Sequence, residues 1–209
     1  VTMHTLFTAI QRRLAPAALG FVAAATAHAG TGLMALEGTP PVTLAYPTNA
    51  PDTAIARGPY TLHAAPDAPA AGGNGRLVVL SHGSGGGFIT EFDLAQTLVR
   101  AGFTVAMPEH AGDNWQDMRD VGPVSWTRRP QELSLAIDTV AALATPGGRL
   151  APLRLDLGRV GVYGMSAGGI AALTLAGARW SPAVQARHCD AHLEQDFPTC
   201  VGLTTELTG

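Results

Sequence analysis

Residues 159–169 read RVGVYGMSAGG, and this stretch decides which fold the sequence predicts. Its first half contains VGVY, a short apolar run that is typical of a buried strand. Its second half matches the pattern G-x-S-x-G, with Ser166 between Gly164 and Gly168. That pattern forms a sharp turn from a strand into a helix and leaves the serine hydroxyl exposed above the sheet, as in a nucleophile elbow. Ser166 is therefore the predicted nucleophile.

A glycine-rich segment, SHGSGGG at residues 81–87, follows an earlier apolar run, LVVL at residues 77–80. Glycines allow backbone N–H groups to approach a developing negative charge, so we expect the N–H of Ser84 to be one oxyanion donor. The N–H of Ala167, at the start of the helix after the elbow, is the expected second donor. A phosphate cradle is the alternative, but the segment lacks the G-K-[ST] ending of such loops. For His82, a structural role is favoured over a catalytic one.

Strand and helix patterns alternate along the rest of the chain. Five strands are predicted, at residues 42–46, 60–64, 77–80, 103–107 and 160–163. Three helices are predicted, at residues 90–102, 130–144 and 167–178, with residues 108–129 as a long loop. This order predicts an α/β fold with a parallel-rich sheet and helices on both faces.

Several stretches together resemble a known family, the secreted α/β-hydrolases similar to platelet-activating-factor acetylhydrolase, often labelled predicted dienelactone hydrolases. They are YPTNAP, GPYTL, LVVLSHGSGGG, PEHAGDN, RRPQELSLAID, RVGVYGMSAGG and the two cysteines that follow. The resemblance covers most of residues 42–200. It implies an α/β-hydrolase fold and ester hydrolysis without cofactor or metal, with Ser166 as nucleophile and Ser84 and Ala167 as oxyanion donors. True dienelactone hydrolases have a cysteine nucleophile, so Ser166 departs from that name.

The first 29 residues have the pattern of a secretory signal peptide. Arg12 and Arg13 precede the apolar residues 14–26, and Ala27-His28-Ala29 forms an A-x-A cleavage pattern. We therefore expect a secreted or periplasmic protein whose folded domain spans residues 30–209. In an oxidising compartment Cys189 and Cys200 are expected to form a disulfide, with two unrelated thiols as the alternative. The histidines and the aspartate around Cys189 lack any established metal-ligand spacing.

The composition argues against a disordered protein, a nucleic-acid-binding protein and a membrane-spanning protein. Hydrophobic residues make up 46% of the 209 residues and charged residues 14%, which indicates a globular rather than a disordered protein. The formal net charge of −3 argues against nucleic acid as a partner. No apolar run is long enough for a stable membrane span. A small ester or a lipid is the expected substrate, and Trp115 and Trp126 either line the acyl site or pack against the helices of the sheet.

The sequence after Ser166 shows no catalytic acid and base at the expected positions. α/β-Hydrolases carry them after the nucleophile, first Asp or Glu and then His. The only histidines after Ser166, His188 and His192, follow a predicted helix about 18 Å long and are not expected to reach it. Asp113 and Asp117 are not expected to be the catalytic acid, because they follow the strand at residues 103–107, before Ser166, whereas the acid of this fold follows the nucleophile. We therefore expect the N-terminal part of a hydrolase domain, truncated after the elbow helix and lacking a C-terminal segment or complementary chain. The alternatives are an inactive relic that binds ligands and a serine peptidase of the same architecture.

Overall fold

The computed structural model describes residues 30–200, and the predicted signal peptide lies outside the described residues. Seven strands are present in this range: β1 (Gly30–Leu36), β2 (Val42–Thr48), β3 (Thr53–Arg57), β4 (Tyr60–Pro66), β5 (Leu77–Ser81), β6 (Thr104–Pro108) and β7 (Gly161–Gly164). The α-helices are α1 (Phe92–Arg100), α2 (Pro123–Leu143), α3 (Ala167–Leu175), α4 (Pro182–His192) and the short α5 (Phe197–Cys200). Two single turns of 3-10 helix, Phe88–Glu91 and Ala151–Leu153, complete the elements.

The strands form one mixed sheet in the order β3-β4-β1-β2-β6-β5-β7. Strands β6, β5 and β7 run parallel to one another, whereas β1 and β2 pair antiparallel and join them through the antiparallel β2–β6 pair. The carboxyl ends of β5, β6 and β7 therefore meet at one edge of the sheet, where ligand sites of α/β folds form. Among the described strands, β7 lies at the end of the sheet and pairs with β5 alone, so it is half exposed rather than buried.

Both faces of the sheet are covered, because neighbouring residues of a strand point to opposite sides. Val105 packs with α1, while Ala106 packs with α2 on the other face. The α1 face contains Leu33, Ala45, Leu80, Phe92 and Val99. The opposite face contains Met34, Leu44, Val79, Leu133 and Ala171. This arrangement confirms the predicted α/β class with helices on both faces.

All five predicted strands are present, but two strands were missed. β1 contains Gly30 and Gly32, which lower strand propensity in sequence patterns. Gly32 is required because the ring of Tyr46 on β2 occupies the space where a Cβ would lie. β3 is almost entirely exposed, so it has no apolar alternation to identify it. A strand that pairs without burying apolar side chains leaves little signal in the sequence.

The helix predictions need two corrections. α2 begins at Pro123 rather than at Pro130, which lies inside the helix, so the last part of the predicted loop 108–129 is helical. The stretch around the cysteines, where no helix was predicted, forms α4 and α5 after the elbow helix. Ser181 caps α4, since its hydroxyl accepts a hydrogen bond from the N–H of Val184. The sulfurs of Cys189 and Cys200 lie 2.22 Å apart, at disulfide distance, and join α4 to α5.

Candidate active site

The sharp turn between β7 and α3 holds Ser166 in a strained backbone conformation. Its φ of 54° and ψ of −120° lie outside the regions that non-glycine residues normally adopt. Such strain persists only where the surrounding packing enforces it, and it is common at functional sites. Ser166 is exposed at the end of the sheet, while Ala167 behind it is buried. The geometry is that of a nucleophile elbow.

Two glycines make this turn possible. A Cβ on Gly164 would overlap the carbonyl of Gly168 across the turn. A Cβ on Gly168 would overlap the carbonyl of Ser81, so the first turn of α3 packs directly against the end of β5. The N–H of Met165 also donates to the carbonyl of Ser81, with an N–O distance of 3.2 Å. The elbow and the end of β5 therefore form one tightly packed unit.

The residues after β5, 82–87, are called here the oxyanion loop, and they lie beside Ser166. A Cβ on Gly83 would be 3.5 Å from the Cβ of Ser166. Within residues 30–200, neither the N–H of Ser84 nor that of Ala167 donates a hydrogen bond to a protein acceptor. Both sequence-predicted donors are thus on segments that meet at Ser166 and remain available to a ligand. Two donors of this kind can stabilise a developing oxyanion.

A buried ion pair holds the oxyanion loop in place. Asp113 and Arg129 have no exposed surface, and their Oδ2 and Nη2 atoms are 2.8 Å apart. The Asp113 carboxylate accepts hydrogen bonds from the N–H of Gly85 at 3.0 Å and from the hydroxyl of Ser84 at 3.3 Å. Arg129 donates to the carbonyl of His82 as well. The pair therefore connects both ends of the segment that carries the Ser84 N–H.

The charge of Asp113 is stabilised within this cluster. Burial alone would raise the pKa of its carboxyl, but the hydroxyl of Ser125 donates to it and the Arg129 charge lies beside it, so that the pKa falls below its usual value. Asp113 is thus an ionised structural partner of Arg129. It follows the wrong strand for a catalytic acid, as expected from the sequence.

Beneath the oxyanion loop, three buried residues are arranged like a nucleophile, a base and an acid. The Ser81 Oγ and His110 Nε2 atoms are 2.7 Å apart, and His110 Nδ1 lies 2.6 Å from Glu132 Oε2. Burial lowers the pKa of His110 despite Glu132, so its Nδ1–H donates to the carboxylate and its Nε2 accepts from Ser81. Ser81 has no exposed surface, so no substrate reaches it.

His82 is a structural histidine, as the sequence favoured. Its Nδ1–H donates to the Gly83 carbonyl at 2.7 Å, and its Nε2 accepts from the N–H of His110 at 3.4 Å. Burial lowers the pKa of His82 to about 4, so the ring is neutral at neutral pH. Both ring nitrogens are occupied, which leaves none to act on Ser166.

No general base contacts Ser166 among residues 30–200, where its hydroxyl has no hydrogen-bond partner. His188 instead pairs with Asp196, 3.0 Å away on the surface of α4 and α5. The Sγ of Cys200 lies within 4.8 Å of this pair, but it is bonded to Cys189 and cannot serve as a thiolate metal ligand. The two C-terminal histidines are therefore not placed as the base.

The two tryptophans of the long segment after β6 have different environments. Trp115 is 62% exposed and lines a cavity beside the oxyanion loop. Trp126 packs edge-to-face on Trp180, with ring centroids 5.5 Å apart. Of the two predicted acyl-site walls, Trp115 lies at a cavity, whereas Trp126 on α2 packs against Trp180 in the segment between α3 and α4.

Comparison with solved structures agrees with the fold. A ferulic acid esterase from Streptomyces cinnamoneus superposes with a TM-score of 0.57 and 26% sequence identity. The chain has an α/β-hydrolase fold. The match covers 74% of this chain and 57% of the esterase chain, so the chain spans little more than half of that protein. No protein-family model and no curated protein matches the chain. No helix in the described range is long and apolar enough to cross a membrane.

Sequence reasoning found the elbow and the oxyanion loop but missed the polar cluster that supports them. Arg129 and Glu132 lie in RRPQELSLAID, which was noted only for its resemblance, and Asp113 lies in PEHAGDN, where it was otherwise considered only as a catalytic acid. No local pattern in these two stretches indicates the cluster, because the residues around its members are themselves polar. Partners 16 and 22 residues apart cannot be paired from a single sequence.

Proposed function

We propose that this protein is a secreted serine ester hydrolase that forms an acyl-enzyme on Ser166. The observation that carries the proposal is the juxtaposition of the strained, exposed Ser166 with two N–H groups, those of Ser84 and Ala167, that have no acceptor among residues 30–200. In an α/β-hydrolase fold this is the arrangement that attacks a carbonyl carbon and binds the resulting oxyanion. The esterase among the structural neighbours supports ester bonds rather than amides.

The acyl group is transferred twice, first from the ester to Ser166 and then from Ser166 to water. The Ser166 Oγ attacks the ester carbonyl while a base takes its proton, and the oxyanion accepts hydrogen bonds from the Ser84 and Ala167 N–H groups. The tetrahedral intermediate then releases the alcohol, which receives that proton, and leaves the acyl group on Ser166. Water attacks the acyl-enzyme by the same route and releases the carboxylic acid. The buried Asp113–Arg129 pair contributes by holding Ser84 in position before the substrate arrives.

The surface around Ser166 suits an acyl substrate. Met165 and Met118 flank the oxyanion loop, against Gly83 and Gly85, and their side chains are 45% and 59% exposed. Flexible thioether side chains adapt to apolar groups of varied shape. A small ester or a lipid ester therefore fits this entrance better than a charged ligand does.

The proposal places the catalytic acid and base outside residues 30–200. Inside this range His82 and His110 are buried and fully hydrogen-bonded, and His188 pairs with Asp196. Polypeptide outside these residues, in this chain or another, would supply the base. Export is part of the proposal too, supported by the signal-like pattern of residues 1–29 and by the bonded Cys189–Cys200 sulfurs, since disulfides persist in oxidising compartments.

Ester hydrolysis with added imidazole tests the proposal. Imidazole can act as the base that Ser166 lacks among the described residues. After subtraction of the rate that imidazole gives without protein, we expect p-nitrophenyl acetate hydrolysis by the full chain to exceed that of the Ser166→Ala variant by about 10²-fold or more, a typical contribution of general-base catalysis. The Ser81→Ala variant should retain the full-chain rate, because Ser81 is inaccessible.

The pattern of rates separates the alternatives. A Ser166-dependent rate without imidazole would mean that a base already reaches Ser166, and only the assignment of the base would be wrong. Equal rates for the full chain and Ser166→Ala under both conditions would contradict the proposed function and favour an inactive ligand-binding domain.

A further inference from the structure

A cavity of about 500 Å³ lies beside the oxyanion loop, on the side of the β3–β4 hairpin. Its volume is within the range of about 300–1,000 Å³ that is usual for small-molecule sites. We call it the aromatic pocket and define it by Tyr60, Gly85–Gly87, Phe88, Glu109 and Trp115. Gly85 to Gly87 belong to the oxyanion loop, so the pocket begins one residue after the proposed donor Ser84.

The first aromatic wall comes from the hairpin. β3 and β4 are joined by the two residues Gly58 and Pro59, and Gly58 has a φ of 58°, which a tight hairpin turn of this kind requires. The turn places Tyr60 at the rim of the pocket, where its side chain is 55% exposed. An exposed tyrosine beside a cavity, rather than on a flat surface, is available to a ligand.

The second aromatic wall is fixed to the oxyanion loop itself. The N–H of Trp115 donates to the carbonyl of Gly86 at 2.9 Å. The Trp115 Cδ1 atom would be 3.0 Å from a Cβ on Gly87, so the indole lies directly against the glycine backbone. Trp115 is nonetheless 62% exposed. The glycine backbone therefore forms one surface of the pocket, and the indole ring of Trp115 forms the surface next to it.

The aromatic pocket has one positively charged and one negatively charged side chain in its lining. Arg57 and Glu109 are the charged residues that line it. One guanidinium and one carboxylate give no net charge, so the pocket favours a neutral occupant over an anion or a cation. A neutral group that exposes a π-face to Tyr60 and Trp115 gains stacking interactions beyond the burial of its apolar surface.

We propose that the aromatic pocket binds the acyl group of the ester and favours acyl groups with a flat ring a few carbons from the carbonyl. The inference rests on the proposed function, in which the carbonyl oxygen of the ester accepts a hydrogen bond from the N–H of Ser84. From Ser84 to Gly87 the chain spans three residues, or at most about 10 Å. An acetyl group is too short to reach the indole, whereas a 3-arylpropanoyl group extends into the pocket.

Binding to the full-length Ser166→Ala variant tests this inference without requiring chemistry. The matched ligands are methyl 3-phenylpropanoate and methyl 3-cyclohexylpropanoate, which differ only in whether the ring is flat and aromatic. We expect the phenyl ester to bind about threefold to tenfold more tightly by calorimetric titration, the range that aromatic pairs contribute. Adding Trp115→Ala or Tyr60→Ala should abolish this preference, and Trp115→Phe should keep most of it.

A second tryptophan serves as the control. Trp126 packs on Trp180 outside the pocket, so Trp126→Phe should leave both affinities unchanged. Equal affinities for the two esters, or a phenyl preference that survives both Trp115→Ala and Tyr60→Ala, would overturn the inference. The two proposals fail in different measurements. If the proposed function is wrong, Ser166-dependent hydrolysis of p-nitrophenyl acetate is absent, but the preference for the phenyl ester is still observed.

Discussion

Two serines of this protein stand at the ends of neighbouring parallel strands, and they differ in every property that matters for catalysis. Ser81 ends β5 and has a histidine and a glutamate arranged behind it at 2.7 and 2.6 Å, but it is fully buried. Ser166 follows β7, is exposed and strained, and lies beside two free N–H groups, but it contacts no histidine among residues 30–200. A triad-like row of side chains is therefore not sufficient to identify a nucleophile. Access and the neighbouring N–H groups are the reasons for which we propose Ser166 as the nucleophile.

The buried cluster around Ser81 instead supports the site beside Ser166. His110, Glu132, Asp113 and Arg129 connect β6 and α2 to the oxyanion loop through hydrogen bonds and ion pairs. Low-dielectric surroundings strengthen such a network when all its members are satisfied and make it costly to interrupt. The comparison therefore predicts that the cluster determines stability and loop position, whereas Ser166 determines chemistry.

The largest effect is expected from Asp113→Ala. It leaves the Arg129 charge buried without its partner, which typically costs about 3–5 kcal/mol of stability. The free energy of unfolding from urea titration measures this. Asp117→Ala is the matched control, because Asp117 pairs only with the exposed Arg119, and such surface pairs contribute about 0–1 kcal/mol. Similar losses for the two variants would show that the Asp113–Arg129 pair does not hold the loop.

The pH dependence of stability should show the next effect. The pKa of His82 is about 4 in the folded protein and about 6.5 in the unfolded chain, so the unfolded chain binds the proton first as pH falls. Stability is therefore full above pH 6.5 and decreases down to pH 4, by about 3 kcal/mol from this group. His110, whose pKa is also lowered, acts in the same direction.

The His82→Gln variant isolates this contribution. Unfolding free energies measured at pH 7 and pH 4.5 should differ less in the variant than in the wild type, by roughly 2–3 kcal/mol. The raised pKa values of Glu91 and Glu109 act in the opposite direction, but they are the same in both proteins and cancel in the difference. An unchanged pH dependence would mean that His82 is not the neutral buried ring that the structure shows.

The smallest expected effect is that of Ser81→Ala. It removes one buried hydrogen bond and leaves the His110 Nε2 unpaired, at a cost of about 1–3 kcal/mol of stability. Hydrolysis that depends on Ser166 should continue in the folded variant. Loss of that hydrolysis with an intact fold, as judged by circular dichroism, would give Ser81 a role in the chemistry and break the distinction between the two serines.

The sequence predicted those parts of the fold and site that depend on local patterns. Apolar runs located five strands, and the spacing of Gly164, Ser166 and Gly168 located the elbow, because steric limits of a tight turn act between neighbouring residues. β1 and β3 were missed because a glycine-bearing strand and an exposed strand lack the expected apolar pattern. The polar cluster was missed for another reason, since Asp113, Glu132 and His110 meet only after β5, β6 and α2 have packed.

Labelling with a fluorophosphonate probe, followed by peptide mass spectrometry, tests the central claim most directly. The probe bonds covalently to an activated serine, and the peptide that carries its mass identifies which serine reacted. With imidazole present, we predict that the mass lies on Ser166 and disappears in Ser166→Ala but not in Ser81→Ala. Modification of Ser81, or labelling that persists in Ser166→Ala, would contradict the assignment of Ser166 as the nucleophile.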